Sequence, residues 1–151
     1  MIRLLVIHFA VTWALVGLTW GVQAWIEVPG FGAMPLKTAP SGGARHSVEA
    51  YLAIRRVEGL APGVYHYEAG SHRLVRVREG LTQAALAACV PHQGWMANAA
   101  AMVFMTAVIG RVQWRYPFAR AYRTVLAECG HHAQTFCLLA TERGLAPFCT
   151  M

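Results

Sequence analysis

Several groups of residues in this chain have the types and spacing for chemistry. The first is Pro40-Ser41-Gly42-Gly43. Two glycines let backbone N–H groups come close to a ligand, and Ser41 adds a hydroxyl. The string is neither a Walker loop nor a GxGxxG fingerprint, so by itself it reads as an ordinary connector more readily than as a ligand loop. The second group, Trp114-Arg115-Tyr116, joins a permanent cation to a phenol. Such a pair can anchor an anion or position a proton, or can simply be surface. The third is Cys129, His131 and His132. Adjacent histidines on a helix point about 100° apart. No HExxH accompanies them and the nearby carboxylate is Glu128, so they read as helix histidines rather than metal ligands. Finally, Ser41 and Ser47 lie near His46 without a defined acidic partner, which makes no convincing nucleophilic triad.

These residues must be held by regular elements. Pro29-Gly30-Phe31-Gly32, followed by Pro35, is a turn-rich stretch, and Ala39 to His46, where a proline is followed by serine and two glycines, reads as loop. Val48 to Val57 reads as one strand, and Glu58 to Gly63 as a turn. Val64 to Tyr67 and Arg73 to Val77 are short strands joined across Ala69-Gly70-Ser71 as a hairpin. Leu81 to Val90 is helical. The apolar run Ala99 to Gly110 fits a central buried strand, which places Arg115 and Tyr116 just past a strand end. From Ala119 to Arg143 the positions Tyr122, Val125, Leu126, Cys129, Ala133, Phe136, Cys137 and Ala140 recur at helical spacing, and Gly144 stops the helix. That helix is about 37 Å long, with Gly130 as an interruption where a neighbour can approach closely. Pro147 to Met151 reads as the opening of a further strand.

Met1 to Ile26 is apolar apart from Arg3 and His8. Three readings stand. It is a signal peptide, with Arg3 as n-region, Leu4 to Leu18 as h-region and Val22-Gln23-Ala24 as cleavage site; a membrane span of the required ~20 residues; or a helix buried in a core.

At 151 residues the chain has the size of one domain and can bury a core. It is 56% hydrophobic and only 13% charged, which excludes disorder and leaves apolar surface for an oligomer, a membrane or sequence outside this chain. The net charge of +6 is scattered, so nothing resembles a nucleic-acid module, although an anionic or phosphorylated ligand suits the balance. Four cysteines without a CxxC pair read as reduced, buried thiols of a cytosolic protein.

Taken in order, the strings Leu36 to His46, Glu49-Ala50-Tyr51, Val57-Glu58-Gly59-Leu60-Ala61-Pro62-Gly63-Val64-Tyr65-His66-Tyr67, Arg120-Ala121-Tyr122-Arg123, Leu126 to Gln134, Ala140-Thr141 and Gly144-Leu145-Ala146-Pro147 resemble the nitroreductase superfamily. The most similar branch is the dehydrogenases of thiazole/oxazole-forming peptide maturases, of the streptolysin-maturation type. The resemblance runs from about residue 18 to 151, leaving 1–17 as an apolar segment of open role. It implies an α+β fold, a central, mainly antiparallel sheet flanked by helices, here incomplete at both ends. It also implies a dimer, or a complex with a complete subunit, with FMN at the interface and a small-molecule or peptide substrate. Carried over, Pro40, Ser41, Gly42 and Gly43 lie against the flavin. Gly144 and Leu145 approach it by their backbone, and Gln134 stands where the family often places an amide. Tyr116 and Arg115 take the place of a Lys-Tyr pair associated with the substrate proton. Three departures accompany the match. An upstream Arg-Ser-Arg phosphate grip and a downstream closing segment are not visible, Ser47 replaces a common proline, and Arg115 replaces the lysine. Arginine stays protonated and cannot act as a base. The expectation is an FMN-dependent oxidoreductase with peptide azolines as candidate substrates. The alternatives are a truncated non-catalytic relative without flavin, or a membrane-anchored domain.

Overall fold

The computed structural model describes residues 7–150; Arg3 of the signal-peptide reading and Met151 lie outside them. In chain order the elements are β1 (Ile7–His8), α1 (Phe9–Trp20), β2 (Val22–Val28), β3 (Gly32–Lys37), β4 (Val48–Ile54), β5 (Val57–Glu58), β6 (Gly63–Glu68), β7 (Arg73–Glu79), α2 (Gln83–Cys89), β8 (Ala101–Ala107), α3 (Ile109–Arg115) and α4 (Tyr122–Glu142). Short 3-10 turns occupy Gly42–Ala44, Gly94–Asn98 and Ala119–Ala121.

The centre is an antiparallel sheet in the order β7-β6-β4-β8. Alternation in β4 sends Ala50, Leu52 and Ile54 to one face. There they meet Tyr65 and Tyr67 of β6, Val16 and Trp20 of α1, and Phe136 of α4. Each large side chain buried there contributes roughly 1.5–3 kcal/mol. Ala53 points the other way, against Leu86, Ala97 and Met102 beneath α2. A third cluster, Val48, Val112, Ala121 and Val125, seats α3 and the start of α4. Helices thus flank both faces of an antiparallel sheet, the expected α+β architecture.

Within the described residues, the apolar N-terminal stretch enters the core through α1. Leu15, Val16 and Trp20 of α1 are buried, and Val22-Gln23-Ala24 lies at the start of β2. Among the described residues, no helix is long and apolar enough to cross a membrane.

Several expectations need correction. The turn-rich stretch at Pro29 is the tip of a hairpin, β2 with β3, whose second strand the sequence reading did not mark and in which Pro35 faces Trp25. The strand read through Val57 stops at Ile54, because the N–H groups of Arg55 and Arg56 both turn to the carbonyl of Ala100, at 2.9 and 3.0 Å. β5 then pairs in parallel with β1. The run read as a central strand is β8, an edge strand whose pairing among the described residues is with β4 alone. Its last three residues are exposed, so the apolar character does not reflect cover on both sides. α3 follows it, so Arg115 and Tyr116 stand at a helix end rather than a strand end. α4 runs unbroken through Gly130, where an added Cβ would meet nothing within 4 Å. Its buried residues are Val125, Glu128, His132 and Ala140, while Tyr122 and Leu126 are exposed. Residues 145–150 form no strand. The cysteines are not buried: Cys89 and Cys149 are exposed, and Cys129 and Cys137 are half-buried.

Candidate active site

The Pro40–Gly43 loop is held by a buried carboxylate. Glu128, 1% exposed, lies on the inner side of α4. Its Oε2 accepts hydrogen bonds from the hydroxyls of Ser41 (2.7 Å) and Ser47 (3.1 Å). Its Oε1 accepts from the N–H of Val48 at 3.1 Å, and Nε2 of His132 stands 3.8 Å from the same oxygen. Burial alone would raise the pKa of this carboxyl. His132 and the bonds donated by Ser41, Val48 and Ser47 outweigh it and hold the group at about 2. Ser41 also accepts from the backbone N–H of His46 at 2.8 Å, and His131 Nδ1 meets the carbonyl of Pro40 at 3.0 Å. The segment from Pro40 to Val48 is therefore tied to α4 at both ends. The serines do have an acidic partner, contrary to the reading of the sequence, but the grouping is no nucleophilic triad. Both hydroxyls point at Glu128, and the His46 ring contacts the carbonyl of Pro35 at 3.1 Å.

The two glycines are used sterically. A Cβ on Gly42 would stand 3.1 Å from Thr124 Cβ. Gly43 has φ +61°, and a Cβ there would stand 2.8 Å from the hydroxyl oxygen of Tyr116. The structure thus places Tyr116 directly against Gly43. Arg115 is exposed, with its guanidinium carbon 5.8 Å from the centre of the Tyr116 ring.

Beside the loop opens a cleft of about 510 Å³, lined by Phe31, Met34, Ala44, Arg45, Arg111 and Trp114 among others. That volume lies within the range of small-molecule sites. Arg45 lies over the Trp114 ring at 5.0 Å, and the Phe31 ring meets Trp114 edge-on at 6.1 Å. Arg111 is anchored by Glu49 (2.5 Å) and by the carbonyl of His46 (2.9 Å). Burial would raise the Glu49 carboxyl, but bonds from His66 and Arg111 hold it below its ordinary value. Lys37 and His46 behind the cleft are both lowered, first by burial. Aromatic walls and two guanidinium groups suit a planar, anionic ligand.

The remaining expected residues do not join this group within one chain. Gln134 is exposed on α4, one turn beyond His131. Gly144 and Leu145 form the helix cap: Gly144 (φ +72°) donates to Thr141 at 3.0 Å and Leu145 to Ala140 at 2.9 Å. Thirteen residues of helix separate His131 from Gly144, about 20 Å. Among the described residues no cluster of histidine, cysteine or acidic side chains is placed to hold a metal.

Sequence reading missed Glu128, Arg45, Arg111 and Phe31 as parts of one site. Glu128 carried a usable signal. With His132 it falls four residues apart on the stripe of Val125 and Ala140, where a carboxylate implies donors facing it.

Comparison with known proteins adds an independent line. A model of the nitroreductase family matches residues 13–150. "Putative nitroreductase MJ1384" of Methanocaldococcus jannaschii is 36% identical over 109 residues, which are 72% of this chain and 54% of that protein. The trifolitoxin-processing protein TfxB of Rhizobium leguminosarum bv. trifolii is 31% identical over 115 residues, covering 72% of this chain and 30% of that one. A crystal structure described as a putative nitroreductase from Anabaena variabilis superposes with a TM-score of 0.78 at 27% identity, over 87% of this chain and 26% of that one. The chain therefore spans about half the length of the first relative and under a third of the other two.

Proposed function

The chain belongs to the nitroreductase family, whose members are typically flavin-dependent oxidoreductases, and on that premise we propose that it works with FMN to oxidise a small-molecule or peptide substrate. The observation that carries this reading is the seat at Gly43. Glu128 fixes the loop, Gly43 leaves no room for a side chain, and Tyr116 closes against it beside a cleft with two arginines.

These residues fit the cofactor. Pro40, Gly42 and Gly43 would present backbone to the ring, and Ser41 would set the loop's height through its bond to Glu128. The cleft's aromatic walls and the guanidinium groups of Arg45 and Arg111 would suit a flat ring and its phosphate tail. When bound, the flavin supplies hydride acceptance. The chain's own part is to hold it, exclude water, and offer the Tyr116 hydroxyl for exchange of the substrate proton. Arg115, always charged, orients an anion or the phenol and does not take the proton.

In this reading a second copy of the chain, or another subunit of the family, completes the site. Gly144, Leu145 and Gln134 lie too far along α4 to meet the loop of their own chain, and Tyr122, Leu126 and Leu138 on that helix are exposed. A peptide substrate is supported by similarity to a trifolitoxin-processing protein; azoline rings as its target rest on the family resemblance of the sequence alone.

Titration of the purified chain with FMN tests the proposal. Binding should give quenched flavin fluorescence and perturbed absorbance near 450 nm (roughly placed, a property of the cofactor). Tyr116→Phe should keep the flavin and lower turnover about 10²-fold. A chain that leaves millimolar FMN unperturbed refutes the reading and favours a non-catalytic relative. That alternative draws its support from the separation of Gly144 from the loop.

A further inference from the structure

After Gly144 the chain reverses and runs back beside α4. Twelve residues apart in sequence, Cys137 and Cys149 meet there with Sγ atoms 3.3 Å apart. The returning segment is seated on its other side too. The Phe148 ring meets Trp95 at 5.0 Å, and Gln93 Nε2 donates to Thr150 Oγ1 at 2.9 Å. We propose that Cys137 and Cys149 are a reversible disulfide site, oxidised by exchange with a low-molecular-weight disulfide of the glutathione class, and that the bond staples residues 145–150 to α4.

The geometry asks little. A disulfide needs sulfurs about 2.05 Å apart, so closure requires roughly 1 Å of approach between atoms already in contact. Exposure sets the order of events. Cys149 is exposed and Cys137 half-buried. Burial, with the neighbouring Cys149 sulfur, pushes the Cys137 thiol up to about 11, so at neutral pH it waits protonated. Cys149, as thiolate, attacks a sulfur of the oxidant and expels one thiolate, leaving a mixed disulfide. Cys137 then gives its proton to solvent, attacks the Cys149 sulfur and expels the second thiolate. The two cysteines lose two electrons and two protons. The oxidant accepts both electrons and leaves as two thiols. Cys89 supplies an internal control: it is exposed and its Sγ bonds the carbonyl of Ala85 at 3.4 Å rather than another cysteine.

The test uses the full chain, reduced, desalted and incubated with oxidised glutathione. Alkylation in denaturant and peptide mapping follow. The expected product links the peptides of Cys137 and Cys149 within one chain, while Cys89 carries at most a glutathione adduct. Dithiothreitol reverses it, and the oxidised form melts higher by on the order of 5–10 °C. Cys137→Ser should trap glutathione on Cys149. The wild-type mapping alone decides the matter if that variant folds poorly. Recovery of both as free thiols overturns the proposal. So do separate adducts on Cys137 and Cys149, a bond to Cys89 or Cys129, or a bond between chains.

Discussion

Replacing Glu128 by glutamine keeps its shape and removes its charge. Three donated bonds and the approach of His132 converge on this buried carboxylate. A hydrogen bond to a charged group contributes about 1.5–3 kcal/mol, and these share one acceptor, so their loss is less than additive. The linkage argument gives a second route to the magnitude. A fall in pKa from 4.5 to about 2 on folding corresponds to roughly 3 kcal/mol of stability in the ionised state. The folded pKa is the lower one, so this stabilisation is complete above pH 4.5 and is lost as pH falls toward 2. Glu128→Gln should therefore unfold about 2–3 kcal/mol more easily at pH 7, a fall of roughly 5–10 °C in Tm for a chain of this size. Urea midpoints measured stepwise from pH 6 to pH 2 should show the gap closing, because the wild type approaches its own neutral form. A gap that stays constant across that range would mean that packing rather than charge fixes the loop. A gap under about 0.5 kcal/mol at pH 7 would mean that Glu128 does not hold it at all.

Gly43→Ala puts a Cβ at φ +61°, 2.8 Å from the Tyr116 oxygen, and should cost about 1–3 kcal/mol in urea unfolding. Adding Tyr116→Phe should return the steric part of that cost; equal losses in both backgrounds would show that the two residues do not touch. At alkaline pH a different group governs. Burial raises the Tyr67 phenol to about 12, so stability intact below pH 10 falls as pH rises toward 12. Tyr67→Phe should flatten that decline while costing about 1 kcal/mol at pH 7 through its lost bond with His72. An unchanged alkaline slope would locate the titration elsewhere.

Much of the fold was legible because it is local. Ala69-Gly70-Ser71 between two alternating segments announced the β6–β7 hairpin, and the spacing from Tyr122 to Ala140 announced α4. The family strings pointed to an antiparallel sheet flanked by helices. What was not legible depends on neighbours. Pro35 is a strand breaker, yet it is tolerated in β3 because among the described residues that strand pairs with β2 alone. The apolar run 101–107 signals low polarity but not which surfaces are covered, so an edge strand passed for a central one. Glu128 was seen only as a carboxylate beside a Cys-His cluster. Its role depends on serines some eighty residues away. Tyr116 and Gly43 were each marked from residue type and again from family resemblance, and their contact emerged only in three dimensions.

The tether from Glu128 to Ser41, Ser47 and Val48 also orders events in time. These bonds close sequence separations of 87, 81 and 80 residues, and the His132 contact with Thr19 closes 113. Closing such spans costs chain entropy before any contact rewards it. The hairpin β6–β7 can form while the chain is being made, but the Pro40–Gly43 loop has nothing to hold it until α4 has left the ribosome and docked. The Pro40–Gly43 loop is therefore among the last parts of the chain to acquire its shape, and an interruption of synthesis before residue 128 yields a sheet without that tether.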